Sequence, residues 1–188
     1  MDTEIPQQAV LSNVCLAARG YLLRSFDMTE TRILLAIDDS PASIRAVTYA
    51  AHLVGRRRGF RFCVVHVLPP FPAHLLEHGG SETSASDLKA ERQLWLAAAK
   101  KASQRGLDEA GAKLRKAGVP TGAIQLLFCE PAEGRDAADD ILQMAHECKC
   151  DTVIVSRDSV SWFHELFSQE LSEEILRRGK GFSVWAIE

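Results

Sequence analysis

The sequence lacks the features that mark exported, membrane or nucleic-acid-binding proteins. Its 188 residues carry a formal net charge of -3 and a pI near 6.1, so nucleic acid and anionic lipid have no general attraction to it. The first residues include Asp2 and Glu4 where an export signal would be basic, and the stretch 10–26 is interrupted by Asn13 and two arginines. We therefore expect no export signal, no membrane association and no nucleic-acid partner.

The cysteine pattern also lacks the form of a disulfide framework. Five cysteines, an odd number, are spread through a chain that is rich in apolar residues. Disulfide scaffolds are typically short chains with paired cysteines, so this pattern favours a reducing compartment and a cytoplasmic location. The length suits one domain with a full core but not two. We predict an N-terminal extension over 1–30, helical over 7–26, and a single domain over 31–188.

Recognised catalytic and phosphate-binding motifs are missing. The chain contains no Gly-x-Ser-x-Gly nucleophile turn, no Walker loop and no Gly-x-Gly-x-x-Gly after its first predicted strand. At that position the sequence reads Asp38-Asp39-Ser40-Pro41, which offers carboxylates where a phosphate would need backbone amides. We therefore predict that the protein is not an enzyme.

The stretch 32–70, in contrast, has a clear pattern of strand, helix and strand. Ile33 to Ile37 is a continuous apolar run, typical of a strand buried on both faces of a parallel sheet. Ser40 is a favourable N-cap and Pro41 suits the first helical position, so a helix should begin there. Its apolar residues, Leu53 among them, are expected to face the sheet. A second strand over 62–68 should lie parallel to the first, because such crossovers are nearly always right-handed.

The rest of the chain continues the alternation of helices and strands. Glycine and proline mark a long loop at 69–87, and a helix over 88–117 is predicted, with an interruption near Gly106. The remaining predicted strands are 123–128, 151–155 and 182–187, and the remaining helices are 132–148 and 162–178. This alternation predicts an α/β fold with a doubly wound, five-stranded parallel sheet.

Two short patterns could indicate a metal or redox site. His74 to His78 matches His-x-x-Glu-His, which binds zinc in some proteases, but it lies in the predicted loop and not on a helix. His146, Cys148 and Cys150 could converge on a metal, or the two cysteines could form a redox pair, but their spacing is not Cys-x-x-Cys. We interpret the first pattern as loop composition and the two cysteines as reduced thiols at a buried junction, and we predict no metal site.

Three further residues of chemically active types are interpreted as core residues. Cys63 and Cys129 lie in or just after predicted strands and are read as small buried side chains. His66 lies on the second predicted strand, where we expect it to be a hydrogen-bonded core residue and not a ligand.

Two segments of the chain resemble the universal stress protein family. The first is ILLAIDDSPASIRAVTYAAHL followed by CVVHVLPP, and the second is EPAEGRDAADDILQMAHECKCDTVIVSRDS with FHELFSQELSEEILRRGKGFSVWAIE. Together they cover most of 31–188. The resemblance implies the strand order 3-2-1-4-5, with a ligand crevice where strands 1 and 4 part. It also implies a homodimer made by pairing the final strands.

The resemblance further implies which positions would form a nucleotide pocket. Asp38 would face the adenine, Val67 would contribute its backbone, and Val155 and Ser156 end the fourth strand. Nucleotide-binding members have a loop of the form Gly, two residues, Gly, nine residues, Gly, then Ser or Thr. The matching positions here hold no glycine, and they are Ser156, Ser159, Gln169 and Glu170.

The altered loop decides the functional prediction. Glycine lets backbone N–H groups approach a phosphate closely, and a carboxylate such as that of Glu170 would repel the phosphate. We therefore predict a stress-response or signalling module that acts by binding an unknown protein partner and by dimerisation, without ATP or another cofactor. Two alternatives remain: an ATP- or AMP-binding stress sensor with an altered loop, and a weak ATPase.

Overall fold

The three-dimensional structure is a computed structural model, which describes residues 30–72, 85–132, 134–157 and 169–188. Five strands are present in this part of the chain: β1 (Thr31–Ile37), β2 (Phe60–Val67), β3 (Ile124–Cys129), β4 (Thr152–Ser156) and β5 (Ser183–Ile187). The helices are α1 (Pro41–Val54), α2 (Ala85–Lys116), α3 (Ala137–Glu147) and α4 (Gln169–Arg178). A short 3₁₀ helix, Thr121–Ala123, precedes β3.

The five strands form one parallel sheet in the order β3-β2-β1-β4-β5. The predicted fold class and strand order are therefore confirmed. β1 lies at the centre, paired with β2 on one side and with β4 on the other. From Ile33 to Ile37 its side chains are almost fully buried, as expected for a strand covered on both faces.

The helices cover the two faces of the sheet in pairs. Alternate residues of β1, Ile33, Leu35 and Ile37, share a core cluster with apolar residues of α1 and α2. Leu34 and Ala36 point the other way and share a second cluster with residues of α3 and α4. This alternation follows from the two-residue period of a strand, and it gives three layers with a core on each side of the sheet.

The start of α1 follows the sequence signals closely. Ser40 has an extended backbone, and its side chain accepts a hydrogen bond from the N–H of Ser43 at 3.2 Å, with Pro41 next to it. Gly55 ends the helix with a φ of 47°, a conformation that glycine adopts at little cost. The prediction for Leu53 was wrong: its side chain is 44% exposed, because it lies outside the stripe that faces the sheet.

The structure corrects one predicted interruption of a helix and one predicted helix start. α2 runs without a break through Gly106, because the helix backbone packs closely on its neighbours there. α3 begins at Ala137 and not at 132, because Asp136 caps it by accepting a hydrogen bond from the N–H of Asp139 at 2.9 Å. The prediction of a helix over 7–26 lies outside the described residues.

Candidate functional site

The candidate site lies where the carboxyl ends of three neighbouring strands meet. Asp38 follows β1, Ser156 is the last residue of β4, and the register that pairs Ile37 with His66 brings Val67 level with Asp38. α1, which follows β1, covers one face of the sheet, and α3 and α4 cover the other. Ligands of open α/β sheets bind at such a switch point.

Asp38 is a buried carboxylate at the centre of a hydrogen-bond network. Its side chain is 1% exposed. Its Oδ1 atom accepts hydrogen bonds from the N–H of Ser40 at 3.0 Å and from the hydroxyls of Ser40 and Ser43, both at 2.5 Å. Its Oδ2 atom is buried and has no hydrogen-bond partner among the described residues. One oxygen of the carboxylate therefore holds the turn into α1, and the other is available to a further donor.

Ser43 connects this network to β4. Its hydroxyl lies 3.4 Å from the hydroxyl of Ser156, and it also accepts from the N–H of Asp38 at 3.1 Å. Both serines are fully buried. The sequence analysis had not singled out Ser43, although its place three residues after the N-cap turns its side chain back toward the strand ends. The two strands that flank the crevice are thus joined through one hydroxyl.

A second carboxylate at this edge contacts His66. The Nε2 atom of His66 lies 3.1 Å from Oδ1 of Asp39, and His66 is 0% exposed, so the prediction of a hydrogen-bonded core histidine is confirmed. Its Nδ1 atom has no partner among the described residues. α2 crosses this pair at Gly106, where an added Cβ would lie 2.9 Å from the Asp39 carboxylate. Asp39 and Gly106 are further residues of this site that sequence reasoning did not identify.

The other predicted pocket positions divide into two groups. Val67 and Val155 are buried and contribute to the core on the α3 and α4 face, beside the strand ends. Gln169 and Glu170 are the first two residues of α4, but their side chains and all of Ser159 lie outside the described residues. The structure therefore brings Asp38, Val67, Val155 and Ser156 to one edge of the sheet.

The four cysteines within the described residues are all free thiols, as predicted for Cys148 and Cys150. Cys63 and Cys129 are buried core residues, as predicted. Cys148 contacts Cys63, with their sulfurs 2.8 Å apart, a contact that the sequence analysis did not foresee. Within the described ranges, no group of three or more His, Cys, Asp or Glu side chains could hold a metal ion. The predicted loop motif His74 to His78 lies outside those ranges.

The part of the chain that the structure describes has no helix long and apolar enough to cross a membrane.

Three solved structures with this fold align with the chain over nearly the whole of their own length. A universal stress protein family member from Burkholderia pseudomallei is 20% identical, with a TM-score of 0.58, over 86% of this chain and 97% of its own. A universal stress protein in complex with cAMP is 17% identical, with a TM-score of 0.55, over 85% of this chain and 98% of its own. A universal stress protein from Archaeoglobus fulgidus is 22% identical, with a TM-score of 0.50, over 88% and 99%.

No curated protein matches the chain significantly. The sequence model of the universal stress protein family, in contrast, matches residues 30–181. This match covers most of the chain and includes all five positions where Asp38, Ser43, His66, Gly106 and Ser156 form the edge of the crevice. The chain belongs to the universal stress protein family.

Proposed function

We propose that this protein is a cytoplasmic stress-response or signalling module that acts by binding a protein partner and by dimerisation, without ATP binding and without catalysis. The observation that carries the proposal is the residue pair Gln169 and Glu170, which are the first described residues of α4 and match the last two positions of the family's phosphate-binding loop. The N-terminus of a helix is the natural seat for a phosphate, because its free N–H groups and its dipole attract anions. At the matching positions this chain carries an acidic residue, Glu170, and Gln169 stands where a glycine would bring the backbone close to a phosphate.

The state of Asp38 supports the same proposal. Three donors of the chain itself already occupy its Oδ1 atom, and its side chain is buried. A ligand that used this oxygen would have to displace the hydroxyls that hold the start of α1. The main role of this carboxylate is therefore structural, because an N-cap network of this kind stabilises the helix that it begins.

Dimerisation is proposed through the outer edge of β5. Among the described strands, β5 pairs only with β4. The N–H of Ser183 donates to Asp151 and the carbonyl of Ile187 accepts from Arg157, so residues 183, 185 and 187 direct their backbone groups to β4. Val184 and Ala186 consequently direct theirs to the open edge. An uncovered edge with apolar side chains recruits a further strand, and a second copy of β5 is a suitable partner.

A second candidate function is that of a sensor for an AMP-type nucleotide. It is favoured by the Oδ2 atom of Asp38, which is buried at the switch point without a partner among the described residues and can accept from an amino group. A universal stress protein with this fold was solved in complex with cAMP. A weak ATPase is the third candidate, and it requires the same nucleotide to bind.

Calorimetry separates the first two candidates. Protein freed of co-purified nucleotide is titrated with ATP and magnesium, with AMP and with cAMP, and we expect no binding heat at micromolar concentrations. Asp38→Asn is the matched variant, because it keeps the shape of the side chain and removes its charge. Micromolar binding by the unmodified chain that Asp38→Asn abolishes would overturn the proposal in favour of the sensor. Phosphate release from ATP would support the third candidate.

A further inference from the structure

Three cysteines meet near the amino ends of the strands, whereas the candidate crevice lies at their carboxyl ends. Cys63 lies near the start of β2, Cys148 follows α3, and Cys150 precedes β4. The sulfurs of Cys63 and Cys148 are 2.8 Å apart, and Cys150 is close enough to Cys63 for each to change the pKa of the other. All three are free thiols in this structure. Residues that are 85 positions apart in the sequence thus come into contact only through the fold.

A partly open pocket of about 290 Å³ gives small molecules access to these thiols. The three cysteines share its wall with the guanidinium groups of Arg32 and Arg61, at the amino ends of β1 and β2. Arg32 also donates a hydrogen bond to the backbone carbonyl of Cys148 at 3.3 Å, which holds its charge beside that residue. The pocket is therefore large enough for a small oxidant and is lined by positive charge.

The thiols differ in their exposure and ionisation. Cys63 and Cys150 are buried, whereas Cys148 is half buried and is the most accessible of the three. A hydrogen bond from Cys63 lowers the pKa of Cys150, and donating that bond, together with burial, raises the pKa of Cys63. Burial raises the pKa of Cys148, against the opposing effects of the hydrogen bond with Cys63 and, to a smaller extent, of the charge of Arg32. Cys63 is therefore a thiol that loses its proton less readily than an ordinary cysteine.

We propose that Cys63 and Cys148 form a reversible disulfide when the protein meets a hydroperoxide, which makes this pocket a redox site distinct from the crevice at Asp38. The sulfur–sulfur distance of 2.8 Å exceeds the bond length in a disulfide, about 2.05 Å, by less than one ångström. Among the contacts between the three thiols in the described chain, this is the one with a sulfur–sulfur distance in that range, so Cys63 and Cys148 are the pair expected to join.

The proposed reaction has two steps. The thiol of Cys148, the most accessible of the three, gives up its proton as its sulfur attacks a peroxide oxygen; the O–O bond breaks, and the released alkoxide or hydroxide takes that proton, which leaves Cys148 as a sulfenic acid. The sulfur of Cys63 then attacks the sulfur of Cys148, the S–O bond breaks, and hydroxide leaves as water with the proton of the Cys63 thiol. Overall, two thiols lose two electrons and two protons, and the hydroperoxide is reduced to an alcohol and water. A small-molecule dithiol reverses the reaction.

The disulfide would join β2 to the end of α3. Cys63 belongs to the central part of the sheet, whereas Cys148 belongs to the turn between α3 and β4, so the bond would fix that turn to the core. A cross-link between distant residues restricts the unfolded chain and so favours the folded state. The oxidised protein is therefore expected to melt at a higher temperature than the reduced one.

Mass spectrometry of the full-length chain tests the proposal. The reduced protein is treated with hydrogen peroxide in the presence of a chelator, the remaining thiols are alkylated, and the digest is searched for linked peptides. We expect a peptide pair joined through Cys63 and Cys148, which disappears after dithiothreitol treatment. We also expect the melting temperature to rise on oxidation and to return on reduction.

Two variants complete the test. Cys148→Ser removes the half-buried partner with little change of volume, and it is expected to abolish both the linked peptide and the shift in melting temperature. Cys129→Ser is the matched control. Cys129 lies at the carboxyl end of β3, away from the three thiols, so this variant should leave the link intact. A link that joins any other pair of cysteines, or oxidation to sulfinic acid without a link, would overturn the proposal.

Discussion

At the residue scale, two aspartates show how one carboxylate can organise the start of a helix. Asp38 is buried and supports the N-cap of α1 through Ser40 and Ser43. Asp136 is the N-cap of α3 itself, and it also contacts Arg178 of α4, with 2.7 Å between Oδ2 and Nη1. The first arrangement lies inside the crevice and is shielded from solvent, whereas the side chain of Asp136 is 52% exposed. Solvent and salt therefore weaken the second arrangement more.

Asp136 should give the protein a dependence of stability on acid pH. The hydrogen bond from the N–H of Asp139, helped by Arg178, lowers the pKa of Asp136 in the folded state. The unfolded chain, with an aspartate pKa of about 3.9, therefore binds more protons at acid pH. The contribution of Asp136 to stability is thus fully present above that value and is lost as the pH falls through the folded pKa.

Asp136→Asn and Asp136→Ala divide this contribution into its parts. Asparagine keeps the N-cap acceptor without the charge, so it should lose part of the pH dependence and, at pH 7, the stability that the charge contributes. Alanine also removes the cap and should cost about 1 kcal/mol at neutral pH. Urea unfolding between neutral and acid pH measures both effects. If Asp136→Asn shows the same pH dependence as the unmodified chain, the carboxylate is not its source.

At the element scale, the course of α2 depends on one close approach to the candidate site. The helix crosses the Asp39 and His66 pair at Gly106, where only the absence of a Cβ leaves room for the Asp39 carboxylate. Glycine normally weakens a helix interior by about 1 kcal/mol relative to alanine. At this position that cost is offset, because Asp39 satisfies a nitrogen of a fully buried histidine.

Gly106→Ala should therefore destabilise the protein although alanine is the better helix former. An added Cβ would lie 2.9 Å from Oδ1 of Asp39 and would force this carboxylate away from His66. The ring nitrogen would then be buried without its partner, at a cost of about 1–3 kcal/mol. Denaturant unfolding measures the change in the free energy of unfolding.

Asp39→Ala provides the control for this prediction through a double-mutant cycle. In the Asp39→Ala background the carboxylate is gone, so Gly106→Ala should become neutral or stabilising. Equal losses in both backgrounds would show that the close contact with Asp39 is not the reason for the glycine.

At the scale of the whole molecule, the open edge of β5 is the surface through which we propose that the protein dimerises. The proposed homodimer needs backbone groups on that edge, and Val184 and Ala186 supply them. Ala186 is exposed, so its side chain can be changed without loss of core packing.

Ala186→Pro should convert the dimer to a monomer. Proline removes the outward N–H of residue 186 and leaves the hydrogen bonds of Ser183 and Ile187 toward β4 in place. Ala186→Ser is the matched control, because it keeps the N–H. Light scattering measures the molar mass, and circular dichroism verifies that the proline variant is folded. A folded Ala186→Pro variant that remains dimeric would place the interface elsewhere.

The sequence predicted the fold because local signals and hydrophobic pattern agreed along the chain. The apolar run Ile33–Ile37, the Ser40 cap and Pro41 each indicated the same strand and helix, and the structure confirms them. Errors arose where packing overrides propensity. Gly106 suggested a break in α2, but the close approach of Asp39 makes glycine the residue that lets the helix continue.

The candidate site was predictable only in part. Asp38 and Ser156 were identified, because the resemblance to the universal stress protein family implies a crevice where strands 1 and 4 part, and the hydrophobic pattern shows where these strands end. Ser43, Asp39 and Gly106 were not, because their roles depend on which side chains approach from other elements. The contact between Cys63 and Cys148 is of the same kind.

The sequence alone determined the order of strands and helices, the start of α1 and the acidic residue at the start of α4, since these depend on residues that are neighbours in the chain. The tertiary structure alone decided that the hydroxyl of Ser43 meets the hydroxyl of Ser156, that α2 passes over His66, and that Cys63 meets Cys148. The physical reason is that hydrogen bonds and thiol contacts act over a few ångströms, and only packing brings residues from distant parts of the chain within that range.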